Sequence, residues 1–350
     1  MDRLIVHVNL SKSFRGGERQ TELLVRGLAE RGHPQRLVAR AAAPLAERLA
    51  DVKQLDIRSV GGLLGATQAC GRDAAVLHVH EGRAPLVARG AQLLGSAPYL
   101  ITRRVPKPLK HNPVTRHLYR RAARVVAISQ AVAASLAEYD RDLRVDVIPS
   151  ALAHLAANPD ALAALRARYS GRFVVGLVGA LVIHHKGQDL LIEVARRVES
   201  AHPDILFVLV GEGEDEERLR ARAADLRNVE FAGFVDDVGT WLEFFDVLTL
   251  PSRHEGLGSV LLDAMDHGRA IVASRVGGIP EVVTDGDNGL LVAPDSADEL
   301  ERAILTLYRN RARLVAMGER SRARAVQYTP ARMTERYVEL YRSVQEESRA

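Results

Sequence analysis

The residues best suited to bind a ligand lie in a glycine-rich turn at 254–258. An apolar run at 245–250 has the length of a strand, and a helical pattern resumes at 260–265. In a βαβ unit, the turn after a strand lies at the carboxyl edge of the sheet, where helix amides and closely approaching glycines can receive a phosphate. The spacing therefore predicts a phosphate-binding turn at a sheet edge.

This stretch resembles the donor-site signature of the family-4 retaining glycosyltransferases, the group 1 glycosyl transferases of GT-B fold. Glu255, Gly256 and Gly258 match the family's Glu-Gly-Phe-Gly, and residues 277–281 match its Gly-Gly-x-Pro-Glu turn. Asp263 stands where the family usually has a second Glu. The resemblance implies that Glu255 contacts hydroxyls of a donor sugar and that Asp263 contacts the ribose of a nucleotide.

A second turn, at 179–187, resembles the Gly-Arg-Leu…Lys-Gly element with which the family clamps the donor diphosphate. Lys186 occupies the lysine position of this element, whereas Ala180 occupies the arginine position. Half of the clamp is therefore missing from this loop or is supplied from elsewhere. A Gly-x-Gly at 211–213 also matches the family pattern at a strand end.

In the first half of the chain, Gly16 and Gly17 separate a strand pattern from a helical one. In the resembled family the corresponding Gly-Gly faces the donor phosphates. His80 ends another strand, and the family often has a similar His-x-His-Glu there, so we expect His80 to line the site. Many relatives carry a histidine after the next strand, where this chain has Arg103 and Arg104.

The resemblance predicts a catalytic set and a donor-binding set of residues, and the basic stretch at 82–137 adds a third set. The catalytic set is Lys186, Glu255 and His80. The donor-binding set is Gly16, Gly17, Lys186, Gly211, Glu255, Gly256, Leu257, Gly258, Ser259 and Asp263. The set expected to face an acceptor or an anionic surface is Arg103, Arg104, Lys107 and Lys110.

Metal ligands are not expected. His78 and His80 point the same way from one strand, but the sequence offers no third or fourth ligand beside them. The Asp-x-Asp sequences at 140–142 and 285–287 look like turns and do not follow the expected strand. Because a cationic clamp suffices for the leaving diphosphate, the resemblance implies neither a metal nor another cofactor.

Length and patterning predict the fold. At 350 residues, the chain has room for two domains of about 150 residues each. Short strand patterns alternate with helical ones, as in doubly wound parallel sheets. We predict an α/β fold of GT-B type, with two Rossmann-like domains facing a cleft. The expected parts are an acceptor-binding domain at 1–165, a donor-binding domain at 166–330, and a C-terminal helix at 331–350 that crosses back to the first domain.

Charge is unevenly distributed. Residues 1–170 carry 26 Lys and Arg against 14 Asp and Glu, whereas residues 171–350 carry 22 against 30. Ten of the cations lie at 82–137 without a single acid. Such a field favours an anionic partner, whether a membrane surface, an anionic glycan or nucleic acid.

Other features bear on location. No apolar run approaches the ~18–20 residues of a membrane span, and the single cysteine, Cys70, fits a reducing compartment. We expect a cytoplasmic protein, with peripheral contact at the inner face of the membrane as a further expectation. Nucleic acid is not expected as a partner, because it would leave the donor motif unused.

The resemblance implies transfer of a sugar, with retention at the anomeric carbon, from a UDP-linked donor to a glycan or lipid-linked acceptor in cell-envelope synthesis. Two alternatives remain. One is a nucleotide-sugar epimerase or phosphorylase of the same fold. The other is a non-catalytic protein that binds nucleotide sugars, suggested by Ala180, Asp263 and the Arg103-Arg104 pair.

Overall fold

The computed structural model describes residues 3–95, 97–105 and 107–348. The chain divides into two compact units. Unit 1 comprises Met1–Ala153 with Thr329–Ala350, and unit 2 comprises His154–Tyr328. The division falls at 153/154 rather than at the predicted 165/166. The reason is that the next helix, Pro159–Arg168, packs against the helix Val238–Phe244 of unit 2. The last two residues of the predicted C-terminal helix lie outside the described residues.

Unit 1 is built on a seven-stranded parallel sheet of order β3-β2-β1-β4-β5-β6-β7. Its strands are β1 (Leu4–Asn9), β2 (Gln35–Arg40), β3 (Leu55–Val60), β4 (Ala74–Val79), β5 (Tyr99–Arg103), β6 (Arg124–Ala127) and β7 (Val145–Val147). Its helices are α1 (Gly16–Glu30), α2 (Pro44–Arg48), α3 (Leu63–Ala69), α4 (Ala84–Leu93), α5 (Pro113–Arg121), α6 (Gln130–Tyr139) and the C-terminal helix (Pro330–Glu347). The central strands are apolar because helices cover both faces of the sheet.

The C-terminal helix belongs to unit 1 because one of its faces is apolar. Met333, Tyr337, Tyr341 and Val344 recur at spacings of three or four residues and are buried with Ile5 of β1 and other residues of the same core. Thr329 begins the helix by accepting a hydrogen bond from the Arg332 N–H. The helix therefore places two tyrosines beneath the sheet of unit 1.

Unit 2 is built on a six-stranded parallel sheet of order β10-β9-β8-β11-β12-β13. Its strands are β8 (Phe173–Val178), β9 (Ile205–Val210), β10 (Val229–Gly233), β11 (Val247–Leu250), β12 (Ala270–Ser274) and β13 (Gly289–Val292). Its helices are α7 (Pro159–Arg168), α8 (Ile183–Lys186), α9 (Gln188–Val198), α10 (Glu216–Arg222), α11 (Val238–Phe244), α12 (Ser259–Asp266), α13 (Ile279–Val282), α14 (Ala297–Arg309) and α15 (Arg311–Ala325). The predicted pair of Rossmann-like domains is confirmed.

The core of unit 2 lies between its sheet and the helices on one face. Every residue of β9 is buried, and Phe207 at its centre packs with Leu191 of α9 and Ile304 of α14. Burying a side chain of this size stabilises the fold by roughly 1.5–3 kcal/mol. The strands are thereby fixed, and the loops after β8, β9, β11 and β12 share the carboxyl edge of the sheet.

Candidate functional site

In unit 2, the two catalytic residues predicted from separate loops meet in an ion pair. Lys186 ends α8 after β8, Glu255 follows β11, and Lys186 Nζ lies 2.6 Å from Glu255 Oε2. Their side chains are 23% and 16% exposed. A ligand can therefore reach both charges, and the pair offers a cation for phosphate oxygens beside a carboxylate for hydroxyls.

The Glu255 carboxylate is held by its own turn. Ser252 Oγ approaches Oε2 at 3.5 Å, and the Gly256 N–H donates to Oε1 at 3.3 Å. The guanidinium of Arg253, in the same turn, donates to the carboxylate of Asp189 and to the carbonyl of Ile183. Arg253 therefore braces the loop, and its charge is already balanced.

The predicted phosphate-binding turn leads directly into α12. Gly258 precedes the helix, Ser259 is its first residue, and Asp263 lies one turn further along. The first amides of a helix have no intrahelical acceptor and carry a partial positive charge. Leu257 is buried, so its side chain is not available to a ligand.

Two glycines of unit 2 stand where no side chain would fit. A Cβ at Gly277 would lie 1.8 Å from the Glu255 carbonyl oxygen, and one at Gly211 would lie 2.2 Å from the Gly179 carbonyl oxygen. Both glycines have positive φ, 52° and 135°. The Gly-Gly-x-Pro-Glu turn thus packs directly on the backbone of the turn that carries Glu255.

The loop that carries Ala180 supplies no second cation. The Ala180 carbonyl oxygen accepts a hydrogen bond from Gln188 Nε2 at 2.7 Å, which fixes the loop without a charge.

A surface depression of about 530 Å³ elsewhere in unit 2, lined by Arg172, Phe173 and Tyr308, lies near the amino end of β8 and contains none of the predicted residues.

In unit 1, Gly16 and Gly17 are the first two residues of α1. Glu18 closes this helix end by accepting a hydrogen bond from the Arg15 N–H at 3.0 Å. The side chain of Arg104, which follows β5, lies next to Gly17: a Cβ built at Gly17 would be 3.4 Å from Arg104 Cδ. The glycine turn and one of the two predicted arginines therefore share a location.

His80 lies in a buried network that sequence reasoning missed. His7 Nδ1 lies 3.0 Å from His80 Nε2, and His7 Nε2 lies 3.1 Å from Gln35 Oε1. His78 contacts the hydroxyls of Tyr341 and Thr102 at 2.6 and 2.7 Å. These partners come from β1, β2, β5 and the C-terminal helix, so no local motif announces them; the only signal is a polar residue in each otherwise apolar segment.

Burial keeps these histidines neutral. Desolvation lowers the pKa of His7 to about 4 and lowers the pKa of His78 and His80 well below the ordinary histidine value. The charge of nearby Arg104 lowers the pKa of His80 further. At neutral pH the network is therefore uncharged, apart from the arginine at its edge.

The network also supplies the third imidazole that the sequence did not reveal. Nitrogens of His7, His78 and His80 lie within 4.8 Å of one another, close enough to share an ion. Both nitrogens of His7 and of His78 already have hydrogen-bond partners within the protein. The absence of a metal stays a prediction from the sequence.

The basic stretch of unit 1 is partly balanced by acids outside it. Asp140 pairs with Arg116 and Arg120, and Asp142 adds a second contact to Arg120. Arg124 pairs with Glu347 of the C-terminal helix. The field expected from ten uncompensated cations is therefore weaker than the sequence predicts.

The four residues assigned to an acceptor or anionic surface differ in exposure. Lys107 and Lys110 are exposed, Arg103 donates to the Lys107 carbonyl oxygen at 2.6 Å, and Arg104 is half-buried. Over the described part of the chain, no helix combines the length and apolar character that crossing a membrane requires.

Comparison with known proteins agrees with this architecture. Residues 14–153 match the family described as Glycosyltransferase Family 4, and residues 172–310 match the one described as Glycosyl transferases group 1. The structure of Anabaena HepE in complex with UDP and glucose is similar with a TM-score of 0.85 at 21% identity, covering 97% of this chain and 99% of that one. The fold is therefore GT-B. The chain belongs to the family-4, group 1 glycosyltransferases, as the sequence motifs predicted.

Two curated relatives are similar over part of their length. The 2-deoxystreptamine N-acetyl-D-glucosaminyltransferase of Streptomyces fradiae is 33% identical over 263 residues, 65% of this chain and 61% of the relative. The lipopolysaccharide core biosynthesis glycosyltransferase LpsE of Rhizobium meliloti is 32% identical over 165 residues, 46% of this chain and 47% of the relative. The chain thus spans about half to three fifths of the length of these relatives.

Proposed function

We propose that this protein transfers a sugar from a nucleotide-sugar donor to a glycan or lipid-linked acceptor, with retention at the anomeric carbon. The observation that carries the proposal is the Lys186–Glu255 pair at the carboxyl edge of the unit 2 sheet, beside the start of α12. Bond cleavage at the anomeric carbon leaves negative charge on a diphosphate. Lys186 and the α12 amides are preorganised donors for that charge.

The other predicted residues receive roles that fit their positions. Glu255 orients hydroxyls of the donor sugar, and Asp263 accepts hydrogen bonds from the ribose. Leu257, Gly258 and Ser259 contribute backbone amides, and Gly256 holds the Glu255 carboxylate through its own amide. Gly211 keeps the neighbouring loop free of a side chain. In unit 1, Gly16 and Gly17 offer helix amides to a phosphate.

A UDP-linked donor is the first choice. The similar HepE structure holds UDP and glucose, which motivates this choice without fixing the base in the present chain. A role in cell-envelope glycan synthesis is motivated by the name of the Rhizobium relative. The reaction as proposed needs no metal, because the cationic groups listed above meet the leaving diphosphate.

The test is a donor screen on the purified full chain. UDP-glucose, UDP-N-acetylglucosamine and GDP-mannose are compared by thermal shift, and the best donor is then followed for slow hydrolysis without acceptor. Glu255→Gln keeps the shape of the side chain but removes its charge, so we expect donor binding to persist while hydrolysis falls about 10-fold or more. Donor binding without hydrolysis in the wild type would favour the non-catalytic alternative, and a changed sugar product would favour an epimerase.

The inner face of the membrane is a further proposed location. Lys107 and Lys110 are exposed and carry no ion pair among residues 3–95, 97–105 and 107–348, and each such cation adds about 1 kcal/mol near an anionic surface. Co-sedimentation with vesicles of varied anionic content should show binding that fades as salt rises. The double variant Lys107→Glu/Lys110→Glu should lose it, whereas Arg120→Gln, at a cation already paired with Asp140, should not. Equal binding to neutral vesicles would rule out electrostatic docking.

A further inference from the structure

Arg104 is the charged group of unit 1 that the proposed reaction has not yet used. Its side chain lies over the start of α1, with Nε 3.7 Å from where a Cβ at Gly17 would be. The helix has 15 residues, so its aligned peptide dipoles sum to a partial positive charge at its amino end. A guanidinium and a helix amino end, two groups that both favour a phosphate, thus converge on one place.

The charge of Arg104 is incompletely satisfied within the protein. Its Nε is enclosed and has no hydrogen-bond partner. Within the described chain, no carboxylate lies at ion-pair distance from its guanidinium. Burial lowers the pKa of Arg104, and the carboxylate of Glu18 in the first turn of α1 offsets this only in part, from longer range. The partner it does have is neutral: one terminal nitrogen lies 3.4 Å from His80 Nδ1. Because enclosing a charge without a counterion is costly, such a group favours the binding of an anion.

The hydrogen-bond network behind Arg104 has a single direction. Gln35 Nε2 donates to the Val25 carbonyl oxygen at 3.0 Å, so Gln35 Oε1 must accept from His7 Nε2. With its proton on Nε2, neutral His7 can only accept at Nδ1, and the donor there is His80 Nε2.

His80 therefore presents a lone pair at Nδ1, and its hydrogen-bond partner there, among the described residues, is the guanidinium of Arg104. The groups at the two ends of this series of hydrogen bonds fix the tautomers of His7 and His80. At one end the Gln35 amide nitrogen donates to a carbonyl, and at the other the guanidinium cannot accept. Gln35 of β2, His7 of β1 and His80, which follows β4, thus orient one cation, the guanidinium of Arg104.

We propose that Arg104 binds a phosphoryl group at the start of α1, and that Gln35, His7 and His80 are positioning residues that orient its guanidinium. The proposal rests on the proposed function and gives unit 1 a phosphoryl-binding cation of its own. A guanidinium presents several N–H donors in a fixed plane, which suits phosphate oxygens better than sugar hydroxyls. The phosphoryl group belongs either to the donor diphosphate or to a phosphate of the acceptor.

Calorimetric titration of the full chain with UDP tests the first source. Arg104→Gln removes the charge, and we expect UDP to bind about 10- to 100-fold more weakly, while Arg104→Lys recovers part of the loss. The matched control is Arg58→Gln, at an exposed arginine of unit 1 that pairs with Asp56; it should leave UDP affinity unchanged. Thermal unfolding of each variant shows whether the fold is kept.

The second source is tested by titration with inorganic phosphate. If Arg104→Gln leaves UDP affinity unchanged but weakens phosphate binding, the arginine serves an acceptor phosphate. If neither changes, the proposal is wrong even though the enzyme remains active. A wild type that binds none of UDP, GDP and phosphate would overturn the proposed function together with this inference.

A pair of variants at His80 tests the positioning role. His80→Asn places an amide oxygen near the former Nδ1 and keeps an acceptor for Arg104, whereas His80→Gln places its amide near the former Nε2 and keeps only the link to His7. Both lose the ring, so a merely structural role predicts equal effects. We expect UDP affinity within about 3-fold of wild type for His80→Asn and about 10-fold weaker for His80→Gln. Equal losses would overturn the positioning role.

Discussion

The two units satisfy their charged site residues in opposite ways. In unit 2, Lys186 and Glu255 come from different loops, pair directly with each other and remain partly exposed. In unit 1, neutral histidines are fully enclosed, and the guanidinium beside them has no carboxylate partner in the described residues. Unit 2 therefore holds a closed ion pair, in which each charge already has its partner and which a ligand must share. Unit 1 holds an oriented cation whose charge a bound anion would neutralise.

The largest effect should follow from breaking the closed pair. Lys186→Ala removes a charge-assisted contact worth about 1.5–3 kcal/mol and leaves Glu255 without its cation. Turnover should fall about 10- to 150-fold, since the diphosphate charge develops in the transition state. Lys53→Ala, at an exposed lysine of unit 1, should have no effect. Turnover within twofold of wild type would remove Lys186 from the mechanism.

The same pair predicts a strong coupling. If Lys186 and Glu255 act as one unit, the double variant Lys186→Ala/Glu255→Gln should be little worse than the more damaging single variant. Additive losses would mean that the 2.6 Å contact is incidental to turnover.

The next largest effect concerns the backbone behind Glu255. Gly277→Ala places a Cβ against the Glu255 carbonyl oxygen, so the turn that carries Glu255 must move. We expect a loss of about 3 kcal/mol in stability and a clear fall in turnover. Gly286→Ala is the control, because Gly286 also has positive φ, 77°, but has open space around it. That variant should cost only about 1 kcal/mol and keep activity. Similar outcomes for both glycines would show that strain alone, and not displacement of Glu255, is responsible.

How far the sequence could predict these sites follows from the same contrast. In unit 2, Lys186, Glu255 and Gly277 lie in short motifs at strand ends, and parallel topology alone brings strand ends together. The fold and the meeting of these residues at one sheet edge were therefore predictable. In unit 1, His7, Gln35 and His80 become neighbours only through the register of β1, β2 and β4, which short motifs do not encode.

The C-terminal helix illustrates the same limit. Its assignment to the first domain was predicted from the family resemblance, but the contact of Tyr341 with His78 depends on how that helix is rotated against the sheet. The basic stretch was overestimated for a related reason: Asp140 and Glu347 lie outside it in sequence but beside it in space.

Acid should destabilise unit 1 more than unit 2. An unfolded histidine binds a proton below about pH 6.5, whereas folded His7 does so only near pH 4, so unfolding takes up protons between these values. Stability of unit 1 should therefore fall as the pH drops from 6.5 to 4, by roughly 3 kcal/mol for His7 alone. The His7 contribution should level off below that range, whereas His78 and His80, whose pKa values also lie well below the ordinary value, add to the fall.

Trp241, the single tryptophan, lies in unit 2 and allows the units to be followed separately. Urea unfolding by far-UV circular dichroism should shift with pH more than unfolding followed by Trp241 fluorescence. His7→Gln removes the titrating ring, so its stability should depend less on pH than that of the wild type. An unchanged pH slope in this variant would contradict the neutral, buried state of His7.

The smallest effect is expected at Asp263, where the chain departs from the family signature. Asp263 is half-buried on α12, between the buried side chains of Leu262 and Ala264, and its carbonyl oxygen accepts from the His267 N–H as in a regular helix end. Asp263→Glu adds one methylene, and Glu favours a helix by a few tenths of a kcal/mol relative to Asp. Stability should therefore be unchanged or slightly raised.

If the Asp263 carboxylate accepts from the ribose, the longer side chain of Asp263→Glu should still reach it. The KM for the nucleotide-sugar donor should then stay within about 3-fold of wild type. Asp263→Asn should weaken donor binding more, because a charged acceptor is lost. Loss of activity in Asp263→Glu with the fold intact would mean that the surrounding pocket has adapted to the shorter acid, and the ribose role would then pass to another residue of unit 2.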